Sequence, residues 1–373
     1  MRIGVPREIK NHEYRVGLTP SAVAELQAHG HEVWVETQAG AAIGFADDDY
    51  RQAGARIAAD AGEVFARATL IVKVKEPQAV ERALLQPQHT LFTYLHLAPD
   101  RPQTDELLAS GATCIAYETV TDAQGRLPLL APMSEVAGRM AIQVGAGCLE
   151  KARGGRGVLL GGVPGVAPGK VVILGGGVVG SQATAMAVGL GADVTVLDRS
   201  LDALRRLDAQ FGNRIVTLYS TGTALREQVL AADLVIGSVL IPGAAAPRLV
   251  TAEMVRQMKP GAVLVDVAID QGGCAETSRP TTHAEPTYVV DEVVHYCVAN
   301  MPGGVARTST LALNNATLPF VLALAGKGTR RALAEDVHLR NGLNIAAGQV
   351  CNAGVAQAHG LDCVAVEDLL NRL

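Results

Sequence analysis

A histidine stands where a short apolar segment ends. Residues 90–100 read TLFTYLHLAPD, in which β-forming residues lead into His96 and stop before Pro99. Imidazole changes charge nearest neutral pH, so a histidine in this position can move protons. The alternative is a partly buried histidine whose hydrogen bonds serve only the fold. The rest of the sequence has to decide between these interpretations.

Cations follow other apolar segments nearby. Those with a strand-end position are Arg7, Lys10, Arg15, Lys73 and Lys75. Arginine can hold a carboxylate with two parallel hydrogen bonds, and lysine can polarise a carbonyl. Each residue alone could be a solvated surface cation. Parallel strands, however, place their carboxyl ends at one edge of a sheet, where these cations and His96 would suit a small anionic substrate.

A glycine-rich turn opens the segment 171–200, VVILGGGVVGSQATAMAVGLGADVTVLDRS. Gly175, Gly177 and Gly180 fit the GxGxxG pattern, after an apolar strand and before an alanine-rich helix. This arrangement places a pyrophosphate against the free N–H groups of a helix N-terminus. The next predicted strand ends in Asp198, at the spacing expected for the acid that binds the adenine-ribose hydroxyls.

The acid at position 198 favours NAD as the cofactor. A carboxylate binds ribose hydroxyls but repels the 2′-phosphate of NADP. Arg199 could accommodate such a phosphate, and we interpret it as a solvated turn residue.

The chain alternates apolar, β-branched segments with helical ones, which is typical of parallel sheets covered by helices. A first series of predicted strands comprises 2–5, 32–36, 69–74, 91–95 and 114–118, and a second comprises 170–174, 193–198, 215–219, 233–237, 262–267 and 287–291. Between the first two strands, 21–30 predicts a helix capped by Ser21 and ended by Gly30.

Two long helices are predicted, one between the two series of strands and one after the second series. The segment 134–155, with Ser134 as a candidate cap, lies between the series, and 308–326 follows the second. We expect an α/β protein with two Rossmann-like, doubly wound parallel-sheet domains joined by long helices. The predicted domains are residues 1–128, the first part of a catalytic domain; 129–308, an inserted NAD domain; and 309–373, the remainder of the catalytic domain.

Composition excludes several functional classes. The 373 residues carry a net charge of −5, which gives no basic surface for nucleic acid. The six cysteines form no CxxC pair, so we expect reduced, mostly buried thiols and no metal site. The start MRIGVPREIK lacks the apolar segment of a signal peptide, and glycine, proline and Lys170 interrupt the most apolar region. We expect a soluble cytoplasmic protein without a membrane partner.

Two further polar residues follow predicted strands in the second half. In AVLVDVAIDQGG (262–273), Asp270 comes just after the predicted strand and before the glycines. Asn300 ends a later apolar segment. Asp270 is placed to face a cleft and orient an imidazole, a water or an ammonium group. Asp266 lies within the strand and could be a structural acid.

These residues belong to motifs found along nearly the whole chain. They are MRIGVPREIKNHEYRVGLTP, VKVKEP, YLHLA, LAPMSEVAGRM, LGGGVVG, GSVLIPG, VDVAIDQGG, ETSRPTTH and VANMPGG followed by RTST. With them the chain resembles the alanine dehydrogenases, of the alanine dehydrogenase/pyridine nucleotide transhydrogenase alpha family.

The resemblance implies a reversible, NAD-dependent oxidative deamination of L-alanine to pyruvate and ammonium, by a cytoplasmic homohexamer. It implies that Arg15 and Lys75 bind the substrate and that His96 and Asp270 form the catalytic pair. Together with the glycine-rich turn, the cofactor-binding residues would be Ser134, Gly175, Gly177, Val178, Val179, Gly180, Asp198, Ser220, Val239, Leu240, Val267, Ala268, Ile269, Asp270, Arg279, Val298, Ala299, Asn300 and Met301.

The sequence departs from the family at two positions. Ala203 stands where an arginine is frequent, which weakens one expected adenosine contact, and Gly304 replaces the usual alanine. The NAD-binding part of a proton-translocating transhydrogenase is the alternative function. A module that only senses NAD is a third, but it would need neither a cationic pocket nor a proton carrier.

Overall fold

The computed structural model describes residues 1–239 and 246–370. The chain forms two compact units: Met1–Met133 with the chain from Val305 onward, and Ser134–Gly304. We call them unit 1 and unit 2. Unit 2 is therefore inserted between two parts of unit 1.

Unit 1 contains an eight-stranded sheet. Its strands are β1 (Arg2–Val5), β2 (Glu32–Glu36), β3 (Arg56–Ala58), β4 (Leu70–Val72), β5 (Thr90–Thr93), β6 (Thr113–Ala116), β14 (Leu343–Ala346) and β15 (Gln349–Val350). Their order is β15-β14-β6-β5-β4-β1-β2-β3, and the strands from β6 to β3 are all parallel. The chain runs outward from β1 to β3 and then returns to β4 on the other side, so the strand order reverses between β1 and β4.

The helices of unit 1 connect these strands or follow the last of them. They are α1 (Pro20–Ala28), α2 (Asp47–Gln52), α3 (Ala61–Arg67), α4 (Ala79–Arg82), α5 (Arg101–Ser110), α11 (Ala306–Lys327), α12 (Thr329–Glu335), α13 (Val337–Arg340), α14 (Ala353–His359) and α15 (Val366–Leu370). A further helix, α6 (Ala131–Cys148), begins in unit 1 and continues into unit 2.

Unit 2 contains a seven-stranded sheet with the same plan. Its strands are β7 (Lys170–Leu174), β8 (Asp193–Asp198), β9 (Val216–Tyr219), β10 (Leu234–Gly237), β11 (Val263–Asp266), β12 (Thr287–Val290) and β13 (Val293–Tyr296). The order β12-β13-β11-β10-β7-β8-β9 is parallel except for β12, and it reverses between β7 and β10. Its helices are α7 (Val178–Gly189), α8 (Leu201–Phe211), α9 (Gly222–Ala231) and α10 (Ala252–Gln257).

The structure confirms the predicted fold class of two doubly wound, largely parallel sheets. Central strands such as β5, β6, β10 and β11 are buried along their whole length, because helices cover both faces of a parallel sheet. The predicted strand at 287–291 is the antiparallel edge strand β12, whose side chains alternate between partly buried and exposed. The strands β3, β13, β14 and β15 were not among the predicted strands.

Two predicted helix caps were wrong. Thr19 caps α1, with its hydroxyl accepting from the N–H of Ala22 at 3.3 Å, because Pro20 occupies the first helical position. Ser134 lies inside α6, which begins three residues earlier. In both cases the helix starts upstream of the serine that the sequence suggested.

The long helix α11 is a core helix of unit 1. By length and composition alone, the segment Met301–Lys327 could cross a membrane. However, α11 buries the polar side chains of Ser309, Thr310 and Asn314. The amide of Asn314 donates to the carbonyl of Gly17 at 3.0 Å and accepts from the N–H of Thr19 at 3.1 Å. These bonds tie α11 to the segment between β1 and α1.

The imidazole of His89, just before β5, is buried with both ring nitrogens bonded. Nδ1 accepts the N–H of Gln86 at 2.9 Å, and Nε2 donates to the carbonyl of Phe65 at 2.9 Å. Only the neutral ring can make both bonds. Burial lowers the pKa of His89, and the bond to Phe65 offsets this effect in part.

We predict that His89→Gln reduces the loss of stability on acidification. The unfolded chain binds a proton near pH 6.5, whereas folded His89 resists protonation, so folding loses up to about 1.4 kcal/mol per pH unit below that value. Glutamine can both donate and accept but does not titrate. Urea denaturation at pH 7.0 and 5.5 should show a smaller fall in unfolding free energy for the variant than for the parent. An equal fall in both proteins would contradict the prediction.

Candidate active site

In unit 1, the predicted substrate residues follow three neighbouring strands. Arg15 lies on the segment after β1, Lys75 follows β4, and His96 follows β5, and these strands are adjacent and parallel. Their carboxyl ends therefore share one edge, which includes the reversal of strand order between β1 and β4. Ligands of open α/β sheets bind at such positions.

Arg15 is held by Glu13, an acid that we did not single out in the sequence. The Arg15 Nε and Nη2 atoms donate to the two Glu13 carboxylate oxygens at 2.7 and 2.6 Å, while Nη1 lies 3.0 Å from the Met133 sulfur. Only 2% of Arg15 is exposed. Burial acts to lower the pKa of Arg15, but the hydrogen bonds and charge of Glu13 outweigh it and raise that pKa. The guanidinium is thus charged and fixed in orientation.

Lys73 is not a solvated cation, and it is not available to a substrate. It is fully buried, and its Nζ lies 2.6 Å from Glu81 Oε1 and 3.1 Å from Glu8 Oε2. Burial acts to lower the pKa of Lys73, whereas the two acids raise it, with a net upward shift. The strand β4 ends at Val72, so Lys73 and Lys75 both lie beyond it.

Lys75 is partly buried and its backbone is fixed on both sides. Glu8 Oε1 accepts the N–H of Val74 at 2.7 Å and that of Lys75 at 3.3 Å. The Lys75 carbonyl accepts the hydroxyl of Thr93 at 3.0 Å. The buried pair of Glu8 and Lys73 therefore positions the residue predicted to bind substrate.

His96 lies beyond the end of β5, in a left-handed conformation with φ of 49°. Glu118, which follows β6, accepts the N–H of His96 at 2.6 Å and that of Leu95 at 3.1 Å. The Nδ1 atom is 3.9 Å from the same carboxylate, and the ring stacks on Tyr94 with 5.8 Å between centroids. The side chain is 47% exposed. The backbone is thus anchored while the imidazole faces outward.

In unit 2, the glycine-rich turn follows β7 at the point where the strand order reverses. Gly175 has a φ of 104°, and a Cβ on Gly180 would overlap the carbonyl oxygen of Gly175. The hydroxyl of Ser238, after β10, donates to the carbonyls of Leu174 and Gly175 at 2.8 and 3.0 Å. A Cβ on Gly177, at the N-cap of α7, would meet no atom within 4 Å, so a ligand can approach the backbone there.

The middle glycine of this turn is bonded by two side chains. Asp198 Oδ2 accepts the Gly176 N–H at 2.6 Å, and its Oδ1 accepts the Ser200 N–H at 2.7 Å. Arg206 Nη2, on α8, donates to the Gly176 carbonyl at 2.8 Å. Ala203 is buried one turn earlier on the same helix. The sequence thus located Asp198, but its bond to the glycine-rich turn and the role of Arg206 are visible only in the structure.

The other predicted cofactor residues of unit 2 lie mostly after strands of its sheet. Val178 is exposed at the start of α7, and Ser220 follows β9. Val239 follows β10, while Leu240 lies outside the described residues. Ser134 differs, because it lies on α6, where a Cβ on Gly138 one turn later would overlap the Val179 carbonyl oxygen.

The remaining members follow β11 or β13. Val267, Ala268, Ile269 and Asp270 form the 3₁₀ turn Val267–Gln271, in which Asp270 is exposed. Arg279 stacks its guanidinium 4.0 Å from the Tyr288 ring centroid. Val298, Ala299, Asn300 and Met301 form a turn in which Asn300 has a φ of 63°.

The side chains around Gly304 explain why this chain has glycine where the family usually has alanine. A Cβ there would lie 2.7 Å from His283 Cε1 and 2.9 Å from Met140 Cε. His283 Nε2 in turn donates to the Asn300 carbonyl at 3.0 Å. An alanine would force these side chains to move, so in this chain Gly304 leaves His283 in place against the Asn300 turn.

Unit 2 thus fits a dinucleotide. It offers free backbone at the N-terminus of α7, room at Gly177 and a carboxylate at the end of the neighbouring strand β8. The fold and site define a two-unit α/β protein with a Rossmann-type dinucleotide turn and a separate cationic edge.

Comparisons with known proteins identify the family. The family model for the N-terminal domain of alanine dehydrogenase/PNT matches residues 4–137, and the model for the C-terminal domain matches residues 141–353. The chain belongs to the alanine dehydrogenase/PNT family.

Relatives and solved structures match over nearly the whole chain. It is 62% identical to an alanine dehydrogenase from Halomonas elongata, covering 99% of this chain and all of that protein. A solved L-alanine dehydrogenase is 54% identical with a TM-score of 0.94, covering 96% of this chain and 99% of that one. A transhydrogenase structure from Sinorhizobium meliloti is 25% identical with a TM-score of 0.81, covering 95% and 99%.

Sequence reasoning missed the acids that hold the predicted residues in place. Glu13 is two residues from Arg15, and Glu118 ends the predicted strand 114–118 next to the strand of His96. Both could have been found by asking which strand-end acid can pair with each strand-end cation or backbone amide. Glu8 gave no such signal, because its partners Lys73 and Val74 lie 65 and 66 residues away in the sequence.

We predict that Lys73→Met destabilises the protein by about 3–5 kcal/mol, because it leaves the buried Glu8 and Glu81 without their cation. The matched variant Lys75→Met should cost about 1 kcal/mol or less, since Lys75 is only partly buried. Denaturant unfolding of both variants measures the difference. Equal losses of stability would show that Lys73 has no special structural role.

Proposed function

We propose that this protein is an NAD-dependent L-alanine dehydrogenase, which catalyses the reversible oxidative deamination of L-alanine to pyruvate and ammonium. The observation that carries the proposal is the grouping of Arg15, Lys75 and His96 after the adjacent parallel strands β1, β4 and β5. Relatives named alanine dehydrogenase, 54–62% identical over essentially the whole chain, support it.

The substrate-binding roles follow from the chemistry of the two cations. Arg15 is oriented by Glu13 and donates hydrogen bonds to the substrate carboxylate. Lys75 binds the neighbouring carboxylate or carbonyl oxygen and stabilises negative charge that develops there. The Arg15 guanidinium and the Lys75 backbone are fixed before substrate arrives, which lowers the entropic cost of aligning the substrate.

In the proposed reaction His96 carries the proton. A bound NAD would supply the hydride acceptor, and loss of the hydride from the α-carbon of alanine in its neutral-amine form gives the iminium of pyruvate. Neutral His96 then takes a proton from water as the water adds to the iminium carbon, and the protonated imidazole passes it to the amino group. Ammonia leaves as the carbinolamine hydroxyl gives its proton back to His96 and becomes the carbonyl of pyruvate. Amination of pyruvate runs these steps backwards with His96 as the acid. Asp270 is proposed to orient the imidazole, the water or the ammonium group.

NAD is proposed over NADP because of Asp198. Asp198 is the last residue of β8, and its carboxylate lies beside the glycine-rich turn, where two backbone N–H groups donate to it. A negative charge in this position accepts hydrogen bonds from ribose hydroxyls and repels a 2′-phosphate. The proposed cofactor-binding residues are those named from the sequence. Arg206 supports the glycine-rich turn by donating to the Gly176 carbonyl.

The transhydrogenase alternative is less well supported. The solved transhydrogenase shares the fold but is only 25% identical, against 54% for the solved L-alanine dehydrogenase. A hydride exchanger would also have no use for a carboxylate-binding arginine beside a proton carrier. We further propose that the enzyme is a cytoplasmic homohexamer, as the family resemblance implies.

We predict that the protein forms NADH from L-alanine and NAD alone, and that His96→Ala lowers kcat by about 10²–10⁴ in both directions, as expected for loss of a general acid–base. Its imidazole is half exposed and contributes little packing, so folding and the NADH dissociation constant should be unchanged. NADH absorbance measures both directions.

The control is His29→Ala, which removes another exposed histidine, at the C-cap of α1. Its turnover should equal that of the parent. A stable His96→Ala protein with turnover within about tenfold of the parent would remove His96 from the mechanism. An unmodified protein that binds NADH but does not oxidise alanine would refute the proposed function.

We predict that Asp198→Gly narrows a strong preference for NAD over NADP. The change removes the charge that repels the 2′-phosphate, but it also removes the acceptor for the Gly176 N–H, so overall activity should fall while the ratio of kcat/KM values approaches one. Asp193→Gly, at the exposed start of the same strand, should leave the ratio unchanged. Equal use of both cofactors by the parent would show that Asp198 does not set the preference.

A further inference from the structure

Asp266 is the last residue of β11, and its side chain is fully buried. It lies opposite Gly237, the last residue of β10, and a Cβ on that glycine would lie 3.2 Å from Asp266 Oδ1. An ionised carboxylate in such a place is costly unless hydrogen-bond donors surround it. The groups that surround it show what it holds.

Three bonds join Asp266 to both sides of the turn that carries Asp270. Its Oδ1 accepts the Ala268 N–H at 3.1 Å, at the start of the turn. Its Oδ2 accepts the Cys274 N–H at 2.8 Å, just after the turn, and the Ser278 hydroxyl at 2.5 Å. The loop that displays Asp270 is therefore closed around this one carboxylate.

The loop fits the carboxylate closely. Gly273 has a φ of 81°, and a Cβ there would lie 2.9 Å from Asp266 Oδ2 and 2.8 Å from the Ser278 Cβ. No side chain fits at Gly273 without moving the acid or the serine. The position of the turn therefore depends on contact with the carboxylate and not on the turn alone.

Ser278 extends the connection to a second predicted cofactor residue. The adjacent Arg279 donates its N–H to the Tyr288 hydroxyl at 2.8 Å, and its guanidinium stacks on that ring. Asp266 thus contacts both the segment that precedes Arg279 and the turn that presents Asp270.

We propose that Asp266 is a positioning residue, which holds the Asp270 turn and the Arg279 segment in a single arrangement for catalysis. The inference rests on the proposed function, because Asp270 and Arg279 have their roles from it. A purely structural acid would affect stability alone. A positioning residue changes turnover in protein that remains folded.

The test compares Asp266→Asn and Ser278→Ala with Asp233→Asn. In either orientation the asparagine amide sets its NH₂ group against a backbone N–H that the carboxylate accepts, while Ser278→Ala removes one bond and leaves the acid. Asp233 is also a buried acid, but it lies just before β10, at the amino ends of the parallel strands. There it accepts the Lys170 N–H at 2.8 Å and pairs with Lys259 at 3.0 Å. It controls for the loss of a buried carboxylate as such.

We expect Asp266→Asn to lower kcat at least tenfold and Ser278→Ala about three- to tenfold, since small displacements of reacting groups cost this much or more. The KM for alanine should stay within threefold, because Arg15 and Lys75 hold its carboxylate, and the NADH dissociation constant should rise severalfold. Asp233→Asn should lower Tm yet keep kcat and NADH affinity within twofold of the parent.

Asp266→Asn and Ser278→Ala proteins with parental kcat and NADH affinity would overturn the inference and leave the proposed function intact. If Asp266→Asn does not fold, Ser278→Ala decides alone. If the parent binds NADH but does not oxidise alanine, the proposed function fails. NADH affinity then decides: a severalfold loss in Ser278→Ala but not in Asp233→Asn supports the positioning role, and equal affinities overturn it.

Discussion

Five of the loops that carry predicted functional residues are each fixed by a carboxylate that accepts a backbone N–H. The pairs are Glu13 with Arg15, Glu8 with Val74 and Lys75, Glu118 with Leu95 and His96, Asp198 with Gly176, and Asp266 with Ala268 and Cys274. A charged acceptor roughly doubles the strength of such a bond. The backbone of these loops is thus held in place, while side chains such as His96 and Asp270 remain exposed.

The parallel sheet determines where these carboxylates can act. Loops at the carboxyl ends of adjacent strands are neighbours, so an acid after one strand reaches the backbone after the next. Glu118 after β6 holds the loop after β5, and Asp198 at the end of β8 holds the turn after β7. The same interaction therefore recurs in both units. The reversals of strand order, between β1 and β4 and between β7 and β10, then leave space for a ligand at the held edge.

Burial strengthens the hydrogen bonds that these acids accept, but it also disfavours their charged form unless a nearby cation or donor offsets the lost solvation. Burial raises the pKa of Glu8, and the charge of Lys73 opposes that shift. Arg15 remains charged because Glu13 more than offsets its desolvation. A cation already held in one orientation inside the protein loses little conformational freedom when it binds a carboxylate. A solvated surface arginine would have to lose both water and conformational freedom first.

The sequence by itself determined the local features: the strand periodicity, the GxGxxG turn, Asp198 at the expected spacing, and the strand-end positions of Arg15, Lys75 and His96. These depend on neighbouring residues or on the regular geometry of a strand and its turn. Only the tertiary structure showed that Lys73 is a buried structural cation, that Glu118 holds the His96 loop, and that Asp266 closes the Asp270 turn. The partners of Lys73 and Glu118 come from other strands or loops, and the role of Asp266 depends on how its loop folds back. Spacing along one chain carries no signal for such contacts, because the order of strands in the sheet and the packing around them determine which side chains meet.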